Sequence, residues 1–126
     1  MEKTASGLDE NVAAALTYAF GWITGAAFLL LEPGNKFVRF HALQSVLWSV
    51  GVTIGIVVVA VIGTILAIAL SAVSSTVGTL VGFLIMLVYL VLFLALFGGM
   101  VFAAYKAYSG EMFKLPLVGS MAEKWA

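Results

Sequence analysis

The sequence predicts an all-α integral membrane bundle of three transmembrane helices. An interfacial helical segment precedes the second span, and a short amphipathic helix sits in the C-terminal tail. Three observations carry this prediction. First, 63% of the 126 residues are hydrophobic and only 10% are charged, with a mean hydropathy of +1.17. An average soluble domain carries about 25% charged residues, and so few charges cannot cover this much apolar area in water. Second, the charges are confined to a few segments. None lies between Glu10 and Glu32, and none between Arg39 and Lys106 with His41 taken as neutral. Third, a helix needs about 20 apolar residues to cross the hydrocarbon core, so the first gap holds one span and the second holds two.

Each element follows from its boundaries. The first span is read as 12–31, with Asp9 or Asn11 as its cap, because their side chains accept hydrogen bonds from first-turn amides. Glu32-Pro33-Gly34-Asn35-Lys36 ends it, since Pro and Gly together break a helix. The second span falls within 46–70 and the third within 79–102, separated by the polar cluster 71–78. Barrel strands are excluded, because they would alternate in polarity over about 10 residues. The stretch 37–45 exceeds what the second span needs and is expected at the membrane interface. In the tail, 109–126, Val118, Met121, Ala122 and Trp125 fall on one helical face, as a surface-lying helix requires. The whole chain, 1–126, reads as one domain.

Charge sets the expected topology. With three spans, Lys36, Arg39, Lys106, Lys114 and Lys124 share one side and Lys3 stands alone on the other. The side richer in Lys and Arg stays cytoplasmic. The expectation is a multi-pass protein of the cell membrane, N-terminus outside and C-terminus inside. The N-terminus lacks a basic start followed by a short apolar run, so it is expected to be retained. The absence of Cys leaves the redox compartment open.

Candidate functional residues form two groups. Gly21 with Gly25, Gly51 with Gly55, and Gly78 with Gly82 repeat at four-residue spacing. In lipid, such small residues let helices approach closely, either to pack the helices of one chain together or to associate separate chains. Arg39, His41 and Gln44 make up a polar interfacial motif. His41, Gln44 and Trp48 share one stripe, while Arg39 lies off it and can snorkel to headgroups. The bland reading of His41 is a hydrogen-bonding group that fixes the helix's depth. The sharper one is a proton-responsive or ligand-contacting group, because His titrates near neutral pH.

Several classes are excluded by what the sequence lacks. No second His, acid or Cys stands at metal-ligand spacing beside His41, and a lone His is a poor metal site. No ionisable residue lies deep in a span, which argues against a proton pump or an ion-coupled transporter. Nucleophile-elbow, zincin and phosphate-loop signatures are missing. Nothing calls for catalysis, a cofactor or a metal, and a net charge of zero gives no footing for nucleic acid. The expected partners are the lipid bilayer and either further copies of the chain or another membrane protein. A small-molecule ligand is left open by the sequence.

Three blocks carry a resemblance. They are Leu8-Asp9-Glu10-Asn11 through Thr17-Tyr18 with Gly21-Trp22-Ile23-Thr24-Gly25, then Asn35-Lys36-Phe37-Val38-Arg39-Phe40-His41-Ala42-Leu43-Gln44-Ser45, and finally Tyr105-Lys106-Ala107-Tyr108-Ser109-Gly110-Glu111-Met112-Phe113-Lys114-Leu115-Pro116. Together they resemble a family of small prokaryotic membrane proteins of unknown function. That family is related to the twenty-kilodalton inner-envelope translocon component of chloroplasts and is similar to the magnetosome protein MamF. The resemblance implies a link to protein import on the chloroplast side, and to crystal size and self-association on the magnetosome side. It implies no catalytic residue, and the chloroplast relatives have four spans where the charge map here yields three.

Residues and resemblance together point to a self-associating scaffold or accessory subunit without catalysis. The alternative is an oligomeric channel or translocon-like conduit for solutes or polypeptide, lined by Ser, Thr and Gly faces. A third reading, headgroup binding by Lys36, Arg39 and Lys106, rests on cations that the topology already explains.

Overall fold

A computed structural model describes residues 3–126. It contains five helices in the order α1 (Glu10–Leu16), α2 (Trp22–Leu31), α3 (Lys36–Val73), α4 (Ser75–Tyr108) and α5 (Gly119–Trp125). Strand pairing among the described residues is limited to an isolated bridge between Lys3 and Asp9. The chain divides into two compact units. One comprises Met1–Val50 with Phe97–Ala126, and the other Gly51–Leu96. Every charged residue and the single His fall in the first unit.

The first unit corrects the expected first span. Residues 12–31 do not form one helix. α1 stops after 7 residues and α2 runs for 10, so neither approaches the ~20 residues a crossing requires. The break is Gly21, whose φ of +61° and ψ of −127° lie where a side chain is not tolerated. The chain reverses there and returns. Asn35 Nδ2 donates to Glu10 Oε2 at 3.2 Å, so the two ends of the segment meet. Asn11 Nδ2 donates to the Tyr108 carbonyl at 3.0 Å, which sets the start of α1 beside the end of α4. The three-span expectation put these two points on opposite sides of the membrane. Asp9 precedes α1 but caps nothing; its carboxylate pairs with Lys3 Nζ at 2.9 Å instead.

α2 packs on α3 through Gly25. A Cβ built there would stand 2.8 Å from the Ala42 carbonyl oxygen and 2.8 Å from Val46. Asn35 starts α3 as an N-cap, its Oδ1 accepting the Val38 N–H at 3.0 Å. The expected interfacial stretch 37–45 is continuous with the rest of α3 and is covered by protein. Val38, Phe40, His41, Ala42, Gln44 and Ser45 are all buried. α4 approaches α3 where the Trp48 indole lies over Gly99. α5 docks by Gly119 and Ala122, both buried, with Val118 packed beside them. Met121 and Trp125, expected on the same face, remain exposed.

The second unit is a two-helix hairpin without a single charge. Ser74 is the one residue between α3 and α4, and its hydroxyl accepts the Val77 N–H at 3.4 Å. The helices meet where Gly63 faces Ile85 and where Gly78 faces Ser71. Hydroxyls within it bond back to their own helix, Ser71 to Ala67 and Thr79 to Ser75, as expected where there is no water. Among the described residues two helices, α3 and α4, are long and apolar enough to cross a membrane.

Glycine environments separate into two sets, and a substitution pair distinguishes them. Gly25→Ala is expected to lower stability by about 1–3 kcal/mol, because the new methyl meets backbone that cannot yield. Gly82→Ala meets nothing within 4 Å and is expected to leave the unfolding midpoint in detergent unchanged or slightly raised. Equal effects would refute the α2–α3 packing.

Candidate functional site

The first unit is organised around buried polar side chains on one stretch of α3. The reversal at 17–21 leaves the Thr17 carbonyl to side-chain donors, whereas the Gly21 carbonyl takes the Gly25 N–H at 2.9 Å. Ser45 Oγ lies 2.7 Å from the Thr17 carbonyl and 2.9 Å from that of Gly21, so its one proton is shared between them. Thr24 Oγ1 donates to the Thr17 carbonyl at 2.9 Å and accepts the Phe20 N–H at 3.1 Å. The Thr17 and Gly21 carbonyls and the Phe20 N–H are therefore met by the protein itself, which irregular backbone needs wherever water is excluded.

One turn before Ser45, a second network ties three segments together, the α1–α2 reversal, α3 and the tail. Glu111 offers His41 a carbonyl, which can only accept, so His41 Nε2 carries the proton of that 3.0 Å bond. His41 Nδ1 then accepts from the Tyr18 hydroxyl at 2.7 Å. The Tyr18 oxygen in turn accepts from Gln44 Nε2 at 2.9 Å. Gln44 gives its other amide proton to the Phe113 carbonyl at 2.9 Å and takes the Leu115 N–H on Oε1 at 2.8 Å. The bond directions are thus determined from end to end. The rings of Phe37 and Phe40 stand edge-on to His41, with centroids 4.8 and 4.9 Å away. His41 and Gln44 have no exposed surface, and no buried side-chain polar atom among the described residues lacks a partner.

A third contact fastens the N-terminal loop. Residues 4–8 turn tightly, with Gly7 at φ +86°. The Ala5 and Ser6 amides donate, each at 2.9 Å, to the two oxygens of Glu32. Burial pushes this carboxyl up, but the donors from Ser6, Thr4 and Ala5 outweigh it and hold it below the ordinary carboxylate range. Nearby, Lys3 holds the Asp9 carboxyl low.

The residues singled out from sequence occupy distinct places. Gly21 makes the reversal, where a built Cβ would stand 3.1 Å from that of Ser49, Gly25 lies against α3, and Gly78 lies against Ser71. Gly51, Gly55 and Gly82 have no neighbour within 4 Å of a built Cβ. His41 and Gln44 stand side by side in the buried network, and Arg39 is half-buried one turn before them. Tyr18, Ser45 and Glu32 belong to this arrangement yet were not among the candidate functional residues of the sequence. Their polarity inside or beside an apolar run was the available signal. Among the described residues no three His, Asp or Glu side chains converge where a metal ion could be held.

Residues 5–122 match the magnetosome magnetite crystal formation protein family, MamF and MmsF. The chain belongs to this family. It is similar over its whole length to a UPF0132 membrane protein of Methanocaldococcus jannaschii, with 37% identity and 96% of that relative covered. A UPF0132 membrane protein of Archaeoglobus fulgidus is 43% identical over 93% of this chain and 95% of its own length. A second one from Methanocaldococcus jannaschii is 35% identical over 96% of this chain and 73% of its own. No solved structure gives a significant match. The chain is therefore a member of a membrane-protein family whose relatives share nearly its full extent.

The Glu32 contact predicts a pH dependence. Its folded carboxyl is the stronger acid, so its contribution to stability is complete above the ordinary value of 4.5 and is lost as pH falls through the lower folded value. The Ala5 and Ser6 amide resonances are expected to titrate together with a midpoint below 4.5 and to stay flat in Glu32→Gln. A midpoint at or above 4.5 would refute the contact.

Proposed function

We propose that this member of the MamF/MmsF family is a two-span membrane scaffold that self-associates and has no catalytic activity of its own. The observation that carries the reading is the second unit. It is uncharged and its large apolar side chains face outward, with Val57, Ile65, Leu84 and Val91 each more than half exposed. Only lipid or another apolar surface suits such a hairpin. Gly51 and Gly55 leave the backbone of α3 bare over one turn, which is the geometry that lets a second helix approach closely in lipid. The absence of catalysis is supported by the first unit. Its one His is sealed from solvent with both nitrogens engaged, so it is not free to pass a proton to a substrate.

An even number of crossings returns the chain to the side it started from. In this reading Lys3, Lys36, Arg39, Lys106, Lys114 and Lys124 share one side, and their excess makes that side cytoplasmic. The N-terminus is then inside, the reverse of the three-span expectation. α1 and α2 dip and return on that same side. At about 1.5 Å per residue, helices of 7 and 10 residues reach no deeper than about half of a 30 Å core.

Two measurements test this. The chain has no cysteine, so single introduced cysteines report cleanly. Ser6→Cys, Gly34→Cys and Ser109→Cys are expected to react with an impermeant maleimide from the cytoplasmic side, and Ser74→Cys from the other. Labelling of Gly34→Cys opposite to Ser6→Cys would restore a crossing first segment. Native mass spectrometry in lipid discs is expected to show two or more copies, reduced to one by Gly55→Leu. A wild-type monomer in every lipid tried would end the scaffold reading.

A further inference from the structure

The tail between α4 and α5 is bound in an unusual way. Residues 111–115 have no regular secondary structure. His41 and Gln44 take hold of them by backbone atoms alone, at the carbonyls of Glu111 and Phe113 and the N–H of Leu115. The contacted residues alternate, which is how an extended strand presents its polar groups to one side. Recognition of this kind supplies affinity without reading sequence, and pockets for alternate side chains add selectivity. Two such side chains are seated here. Phe113 stands edge-on to Phe102 with centroids 5.0 Å apart, and Leu115 is buried.

Charge adds little to that hold. The tail's ion pairs, Lys106–Glu111 and Lys114–Glu123, involve exposed carboxylates and contribute little. Gly110 at φ +82° and Leu117 at φ +69° bound the seated stretch. Leu117 is 90% exposed, so no packing compensates its left-handed backbone, which is strained for a leucine. Strain next to a bound segment lowers the cost of its release.

We infer that His41 and Gln44 form a clamp for an extended peptide, which residues 111–115 occupy in cis. When the tail lifts, the clamp accepts an extended segment of another polypeptide bearing an aromatic residue and, two residues on, an aliphatic one. The tail then acts as an internal competitor that keeps the clamp closed. This inference stands on the first unit alone and does not depend on self-association.

The test uses the full-length chain in lipid discs and a fluorescent synthetic peptide copying residues 110–118. Leu115→Pro removes the N–H that Gln44 accepts and leaves the clamp untouched. The Leu115→Pro chain is expected to bind the peptide at least about tenfold more tightly than wild type, the change that loss of one buried hydrogen bond brings. Adding Gln44→Leu is expected to abolish that gain, and a peptide with both Phe113 and Leu115 replaced by Ser is expected not to bind. Hydrogen exchange in the unmodified chain gives an independent measure. The Leu115 amide is expected to exchange far faster than those of Ala42 and Ser45 in α3. Leu117→Asn, which tolerates the left-handed backbone, is expected to slow it. A Leu115 amide as protected as α3, or peptide binding indifferent to Gln44, would overturn the clamp.

Discussion

The side-chain amide of Gln44 bonds three partners at once, and the first unit depends on that. Its nitrogen donates to the tip of the α1–α2 hairpin at Tyr18 and to the tail at Phe113, and its oxygen holds the tail again at Leu115. Each bond is worth about 0.5–1.5 kcal/mol net, but leaving buried partners unmet costs about 1–3 kcal/mol each. A fully satisfied polar network therefore selects one arrangement of these segments over others with equal apolar burial. His41 and Ser45, on either side along α3, extend the same logic to the Glu111 carbonyl and to the carbonyls of the reversal.

Polar satisfaction also explains why the chain can reverse at Gly21. A break in a helix frees backbone groups, and where water is excluded these need protein partners. Ser45 and Thr24 stand at the break and supply them. The second unit has no comparable network. Its hydroxyls bond to their own helices, and the two helices meet at glycines rather than through polar contacts. The two units thus use opposite strategies: buried polar groups in one, and bare apolar surface with close backbone approach in the other.

The family match and the geometry answer different questions. Similarity across nearly the whole chain places it among membrane proteins, and the two long apolar helices agree with that. Which surfaces associate is a matter for the side chains. The bare backbone at Gly51 and Gly55 and the backbone-reading pair His41 and Gln44 are separate features, on separate units, so one can fail without the other.

The sequence by itself determined the helical class, the membrane setting, the two long helices and the segregation of charge, because composition and hydropathy are local quantities summed along the chain. The expected spans 46–70 and 79–102 lie inside α3 and α4, and a tail helix forms, although Met121 and Trp125 of its expected apolar face stay exposed. His41 and Gln44 were legible as a polar stripe. Their partners were not, because Tyr18, Glu111, Phe113 and Leu115 are 23 to 71 residues away in sequence. Only the tertiary structure decided the course of 12–31. An uncharged apolar run is equally compatible with crossing and with turning back, and the choice lies in the two backbone dihedrals of Gly21 and in the hydroxyl of Ser45 that meets the Thr17 and Gly21 carbonyls.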